Sequence, residues 1–243
     1  MSCLYMIPGG KPITYTGGSF RHIVNYPFQK MLEEIFSVPA AIANDANCAT
    51  AAELWKGCLQ NTDSAALLIM GTGLGGGIVL NHQVYEGSSL TAAELCFIAA
   101  DYDRIYDVDY SAFVFNRVCA KALTEHYAAL KNMDAKDVNG IMVFDACEAG
   151  EKEAVESVRW LADNTAITIY TMQCILDVDV YAIGGGISAR DILMTEIQKS
   201  LDRLFEKLAV TPVKKPELKV CAFRNDSNLI GALHYYLRKY GKL

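Results

Sequence analysis

No stretch of this sequence is long and apolar enough to cross a bilayer. The longest uninterrupted apolar runs, 65–70 and 95–100, are six residues each, against about 20 for a spanning helix. The first residues, Met-Ser-Cys-Leu-Tyr-Met-Ile-Pro, lack a basic n-region and soon reach Pro8. No secretory signal is therefore expected, and a cytoplasmic location is. An excess of basic charge is lacking too: 22 Lys+Arg against 28 Asp+Glu gives 22 − 28 = −6, whereas binding nucleic acid needs clustered cations to neutralise phosphates. Membrane and nucleic acid are thus both set aside as partners. The eight cysteines (Cys3, Cys48, Cys58, Cys96, Cys119, Cys147, Cys174 and Cys221) include no C-x-x-C and no Cys/His cluster at zinc-ligand spacing. They are expected as buried free thiols, with no disulfide and no bound metal.

Apolar material, by contrast, is plentiful: 52% of the 243 residues are hydrophobic and 21% charged, enough for one large folded unit or two modest ones. Segment 7–19 is dense in Gly and Pro and reads as loop. An amphipathic helix is expected over 26–36, with Phe28, Met31, Leu32 and Ile35 on one stripe. A short strand over 38–43 follows, then a helix over 47–57 closed by Gly57. A buried strand over 64–70 leads through a glycine-rich segment into a strand at 78–80, a turn at 81–83 and an extended piece at 84–85. The acidic, tyrosine-rich segment 101–110 reads as loop. Helices are expected over 112–130, 140–149 and 151–176. In the last of these Ala154, Val158, Leu161, Thr165, Ile169 and Met172 recur at three- and four-residue steps. A strand at 178–183, a glycine turn at 184–188, a helix at 189–208, a strand at 218–223 and a helix at 227–240 complete the chain. This alternation argues an α/β fold.

Two segments carry chemistry. The run Gly71-Thr72-Gly73-Leu74-Gly75-Gly76-Gly77 holds five glycines in seven positions. Such a run lets backbone N–H groups point into one concavity and lets a bulky anion approach, with Thr72 adding a hydroxyl. The bland alternative is a tight hairpin. Gly71, Gly73 and Gly76 also satisfy G-x-G-x-x-G, but an NAD-binding fingerprint opens a helix, and Ile78-Val79-Leu80 reads as a strand. The second segment is Asn44-Asp45-Ala46-Asn47, between an apolar run and a helix. Asp45 there can accept a proton from a substrate hydroxyl; the competing reading is a helix N-cap, which Asn and Asp favour.

Asn44-Asp45-Ala46-Asn47 with Glu53, the glycine run continuing through Ile78-Val79, Ala93-Glu94, Ile183-Gly184-Gly185-Gly186-Ile187-Ser188 and Gly231-Ala232-Leu233 occur in an order that resembles the ROK family of sugar kinases and sugar-sensing repressors. The resemblance runs from about Pro8 to Leu237. It implies an α/β, actin-like ATPase (ribonuclease H-like) fold, with a first lobe over 1–95 and a second over 96–243, and ATP-dependent phosphorylation of a hexose or glycoside with Mg²⁺. By the same resemblance Asp45 is the general base, and Asn44, Asp45 and Glu94 bind the sugar. Gly71, Thr72, Gly73, Leu74, Gly75, Gly76, Gly77 and Ile78 form the second phosphate loop, while Gly184, Gly185, Gly186, Ile187 and Ser188 lie beside the adenosine. A homodimer is the expected assembly.

The departures from the family pattern are equally specific. Phe97 stands where glucokinases of the family have a zinc- and sugar-binding His, and 101–110 holds no Cys. No zinc is therefore expected in that segment, and the chain resembles the zinc-free subgroup that includes β-glucoside kinases. For a second pocket carboxylate, Asp109 is the nearest candidate. The family's opening D-x-G-G-T strand has no counterpart, and neither Gly9-Gly10-Lys11 nor Gly17-Gly18-Ser19 replaces it. The expectation is an incomplete N-terminal domain, left by truncation or by loss of catalysis. The alternative function is a non-catalytic sugar-sensing regulator or pseudokinase; an NAD-binding enzyme is disfavoured.

Overall fold

The computed structural model describes residues 4–5, 15–16, 24–107 and 110–243. Asp109, Gly9-Gly10-Lys11 and Gly17-Gly18-Ser19 lie outside them. Within the expected loop 7–19, Tyr15–Thr16 (β2) is a strand paired antiparallel with Leu4–Tyr5 (β1), Leu4 opposite Thr16. The remaining elements are α1 (Phe28–Phe36), α2 (Asp45–Lys56), β3 (Ala65–Met70), β4 (Leu74–Leu80), β5 (Gln83–Val84), α3 (Ala120–Lys131), α4 (Gly140–Glu148), α5 (Lys152–Leu176), β6 (Val180–Gly184), α6 (Asp191–Lys207), β7 (Glu217–Val220) and α7 (Ser227–Lys239). The larger sheet has strand order β5-β4-β3-β6-β7. By packing the chain divides into two units. One takes the described residues up to Leu67 with Gly76–Ala93 and Cys221–Leu243; the other takes Leu68–Gly75 and Glu94–Val220.

In the first unit α2 is the central element. Its residues 47–54 are all buried, which an Ala-rich helix can tolerate because small side chains let neighbours approach on several sides. A Cβ placed on Gly231 of α7 would fall 1.7 Å from the Cys48 carbonyl oxygen, and one on Gly77 of β4 would fall 1.8 Å from Thr50 Oγ1. Helix and strand thus press on α2 at backbone distance. The hairpin β4–β5 pairs Val79 with Val84 and Leu80 with Gln83 through a two-residue turn in which Asn81 and His82 both have positive φ, 53° and 58°. That is the backbone a primed turn requires. Asn tolerates it; His82 is held there by its N–H donating to Asp63 O (3.0 Å) and its Nδ1 lying 3.1 Å from Thr62 O.

The second unit is built on α5. The six residues read as its apolar stripe are all buried, and its buried hydroxyls are satisfied one turn back, Thr165 donating to Leu161 O and Ser157 to Glu153 O at 2.8 Å each. Asp177, at φ 46°, caps the helix, and the Gln173 amide bridges Val178 N and O, turning the chain into β6. All five residues of β6 are buried, and it pairs in parallel with β7, Val180 opposite Glu217. An uninterrupted apolar strand of this kind is expected where both faces are covered.

Three expectations are corrected. Segment 38–43 is not a strand, because no ladder partner pairs with it among the described residues. Its Ala40 N–H donates instead to Glu33 Oε1 and its Ala40 O accepts from Tyr240 Oη. The stripe of α1 buries no residue; Ile35 is 63% exposed. The expected helix 112–130 begins only at Ala120. Before it the chain makes two single turns and a bridge, with Val114 N–H donating to Ile98 O, so the apolar spacing of Ala112, Val114 and Val118 came from tertiary burial and not from a helical face.

Gly231→Ala is expected to destabilise the protein by about 1–3 kcal/mol, the usual cost of overpacking. Gly140→Ala, whose new methyl meets nothing within 4 Å, should be neutral or stabilising by up to about 1 kcal/mol. Denaturant melts of the two variants against the parent would check this pair.

Candidate active site

Asp45 is the first residue of α2, and Asn44 is its N-cap, with Oδ1 accepting from Asn47 N at 3.0 Å. Asn44 thus closes the helix end, while the Asp45 carboxylate, whose Oδ1 accepts from Ala46 N (2.9 Å), keeps solvent exposure. Burial among neighbouring groups nevertheless raises the Asp45 pKa above the ordinary aspartate value, against the pull of the Ala46 and Asp45 backbone N–H groups. Such a carboxylate binds a proton more readily than one in water, as a general base must.

Its neighbours were not legible in the sequence. Cys48, one turn along α2, has its thiol pushed up to about 11 by burial and by the charges of Asp45 and Glu86. Glu86, just beyond β5, is raised by burial and pulled back by Arg238 of α7; Tyr235 is raised by burial and by Glu86. Glu86, Tyr235 and Arg238 also line a cavity of about 420 Å³ together with Asn47, Ala51 and Leu54 of α2. Glu86 sits 38 positions after Cys48, and Tyr235 and Arg238 lie 149 and 152 positions further on, spacings that carry no local pattern.

In the second unit Gly71-Thr72-Gly73 turns the chain from β3 into β4. The turn is internally braced: Gly71 N–H donates to Gly73 O at 2.9 Å, and Gly71 O accepts from Ala120 N at 2.9 Å. Thr72 is exposed at its tip. Of the expected phosphate loop, Leu74, Gly75, Gly76, Gly77 and Ile78 are residues of β4, so the loop proper is Gly71–Gly73. Gly77 is glycine because Thr50 leaves no room, a packing reason. No helix follows Gly77, as a dinucleotide fingerprint would need.

Gly184 ends β6, and Gly185 stands at φ 90° with its would-be Cβ 2.3 Å from Met70 O. Only glycine suits both the dihedral and the space. This contact sets the turn after β6 against the end of β3, beside Gly71, so both glycine turns lie at the carboxyl ends of neighbouring strands, where open α/β sheets bind ligands. The site above Gly186 is open, with no atom within 4 Å of its would-be Cβ. Ser188 Oγ donates to Gly185 O at 2.8 Å, bracing the turn from within. Glu94, half-buried, accepts a long bond from the Cys96 thiol (3.6 Å). Phe97 packs edge-on to Phe113 with ring centres 6.0 Å apart.

The ROK family model matches residues 11–239. A β-glucoside kinase of Klebsiella pneumoniae is 28% identical over 237 residues, covering 97% of this chain and 76% of the relative. Among solved structures, a ROK family protein of Streptococcus pneumoniae in complex with sucrose superposes with a TM-score of 0.86 at 19% identity, over 98% of this chain and 79% of the other. A ROK family glucokinase of Streptomyces griseus in complex with glucose and AMPPNP gives 0.79 at 21%, over 94% and 77%.

Because the raised Asp45 pKa means that folding favours the protonated form, its stabilising contribution is complete below the unfolded-state pKa and is lost as pH rises through the folded one. Asp45→Asn is expected to raise the melting temperature at neutral pH, by an increment that shrinks as pH falls through the carboxylate range. Thermal melts of both proteins across that range test the sign.

Proposed function

The chain belongs to the ROK family and has the actin-like ATPase fold of its solved members, and from that premise we propose that it transfers the γ-phosphoryl group of ATP to a hydroxyl of a hexose or glycoside. The observation that carries the reading is Asp45, an accessible carboxylate at a helix start whose pKa burial has raised. In this role it takes the proton as the sugar hydroxyl attacks the γ-phosphorus; Asn44 and Glu94 bind neighbouring sugar hydroxyls. The turn Gly71–Gly73 receives phosphate oxygens, with the Thr72 hydroxyl as a donor, and the segment 184–188 flanks the adenosine, where the open space above Gly186 leaves room.

Among the described residues no three carboxylates converge at ligating distance. Mg²⁺ would accordingly be held mostly by phosphate oxygens, as this strongly hydrated ion commonly is, and would neutralise their charge. A β-glucoside or a simple hexose as acceptor is supported by the Klebsiella relative and by Phe97 in place of histidine. The two-lobe division at residue 95 belongs to the same proposal, with 221–243 joined to the first lobe by the packing of α7 on α2. So does a homodimer, supported by apolar side chains left exposed on α5 and α7, Ile175 at 78% and Leu229 at 74%. A cytoplasmic setting is supported by the absence, among the described residues, of a helix long and apolar enough to cross a membrane. The retained Asp45 favours transfer over ligand sensing without chemistry.

A coupled assay with ATP, Mg²⁺ and a panel of hexoses and β-glucosides tests this. Turnover is expected from the parent chain and a loss of about 10²–10⁴-fold from Asp45→Asn, the range for removing an acid–base group. Sugar binding without phosphorylation would favour the regulator instead, and the absence of both would overturn the proposal.

A further inference from the structure

Glu53, Cys58 and Cys221 share no sequence spacing that suggests a ligand set, yet a carboxylate oxygen and the two thiol sulfurs all lie within 4.8 Å of one another in the first unit. We infer that these three side chains form a binding site for a thiophilic divalent cation of the zinc or cadmium kind, clamping the end of α2 to the segment that leads into α7.

Four observations carry this. The first is distance. A tetrahedral ion with bonds of about 2.0–2.3 Å to oxygen, nitrogen or sulfur sets its ligands roughly 3.5–3.8 Å apart, so donors within 4.8 Å of one another need close by about 1.3 Å at most. The second is orientation. Glu53 is fully buried, and its carboxylate is fixed by three backbone donors: Cys58 N (2.9 Å) and Ala222 N (3.0 Å) to Oε2, and Phe223 N (3.0 Å) to Oε1. A carboxylate has about four acceptor sites, so one remains, on Oε1, and the N–H groups act as the outer partners that hold a metal ligand still.

The third is charge. A divalent ion that displaces one proton from each of the two thiols makes, with the Glu53 carboxylate, a complex of net charge −1, so the ion offsets most of the negative charge that three such ligands bring into a buried site. The fourth is access. Cys58 is half-buried, and a cavity of about 660 Å³ lined by Cys221, Ala222, Phe223, Arg224 and Asp226 lies alongside, a route for the ion and for water as fourth ligand.

The test uses the reduced full chain titrated with Cd²⁺ as probe. One equivalent should raise a thiolate-to-cadmium charge-transfer band in the ultraviolet with release of two protons, and Zn²⁺ should abolish the band by competition and raise the melting temperature. Cys58→Ser, a half-exposed position whose variant is checked by circular dichroism, should weaken Cd²⁺ binding by at least about tenfold and remove the Zn²⁺-dependent thermal shift. Cys174→Ser, at an exposed cysteine elsewhere, should leave both unchanged. A band of equal strength in Cys58→Ser, no stoichiometric band in the parent, or a Cys58–Cys221 disulfide whose reduction restores no metal uptake would each overturn the inference. None of these readouts depends on kinase activity.

Discussion

One buried carboxylate organises the first unit. Glu53 points into the protein from the last full turn of α2, and three backbone N–H groups converge on its carboxylate, satisfying polar atoms whose burial would otherwise be costly. Two of them, from Ala222 and Phe223, come from segments about 170 residues away in sequence. The same residue's carbonyl accepts from Gly57 and Leu59, closing the helix. A Cβ at Gly57 would sit 2.1 Å from Glu53 Oε2, so the glycine that ends α2 also makes room for the carboxylate. The helix that presents Asp45 at one end is in this way locked at the other by the chain that leads into α7.

The glycines of the motifs divide by physical role. Gly77 and Gly231 are glycine because Thr50 and the Cys48 carbonyl occupy the place of a side chain; they bring β4 and α7 onto α2. Gly185 is set by a left-handed φ and by Met70. Gly186 has open space around it, and at Gly71 an added Cβ would meet only Gly73 O, at 4.0 Å, so these are the positions at which a ligand's bulk can come close to backbone. A single glycine-rich run thus serves helix–strand packing at its carboxyl end and a ligand-accessible turn at its amino end.

Much of the fold was legible because its signals are local. The three- and four-residue stripe of α5, the uninterrupted apolar runs of β3 and β6, and the Asn-containing hairpin turn each follow from neighbours in sequence and the geometry of one element. The misreadings share one cause, apolar residues whose burial is decided elsewhere. Segment 38–43 has the composition of a strand without a partner to make it one, and Ala112 and Val114 are buried by a bridge to 98–100. At the candidate site, Asp45 and the glycine turns were visible as motifs. Glu86, Tyr235 and Arg238 were not, since only the packing of α7 and the β4–β5 hairpin on α2 brings them near Cys48.

The amino-acid sequence by itself determined most of the element types, the motifs that carry the family, the carboxylate at the start of α2, and a net charge of −6. Those properties depend on residue chemistry and on periodicity within a few turns of chain. Tertiary structure alone decided which glycines face a side chain and which face open space, that the two glycine turns share one end of the sheet, and that Cys58 and Cys221 meet across Glu53. The reason is the same for all three: backbone close approach and side-chain convergence are set by which elements pack together, and no spacing along the chain encodes that directly.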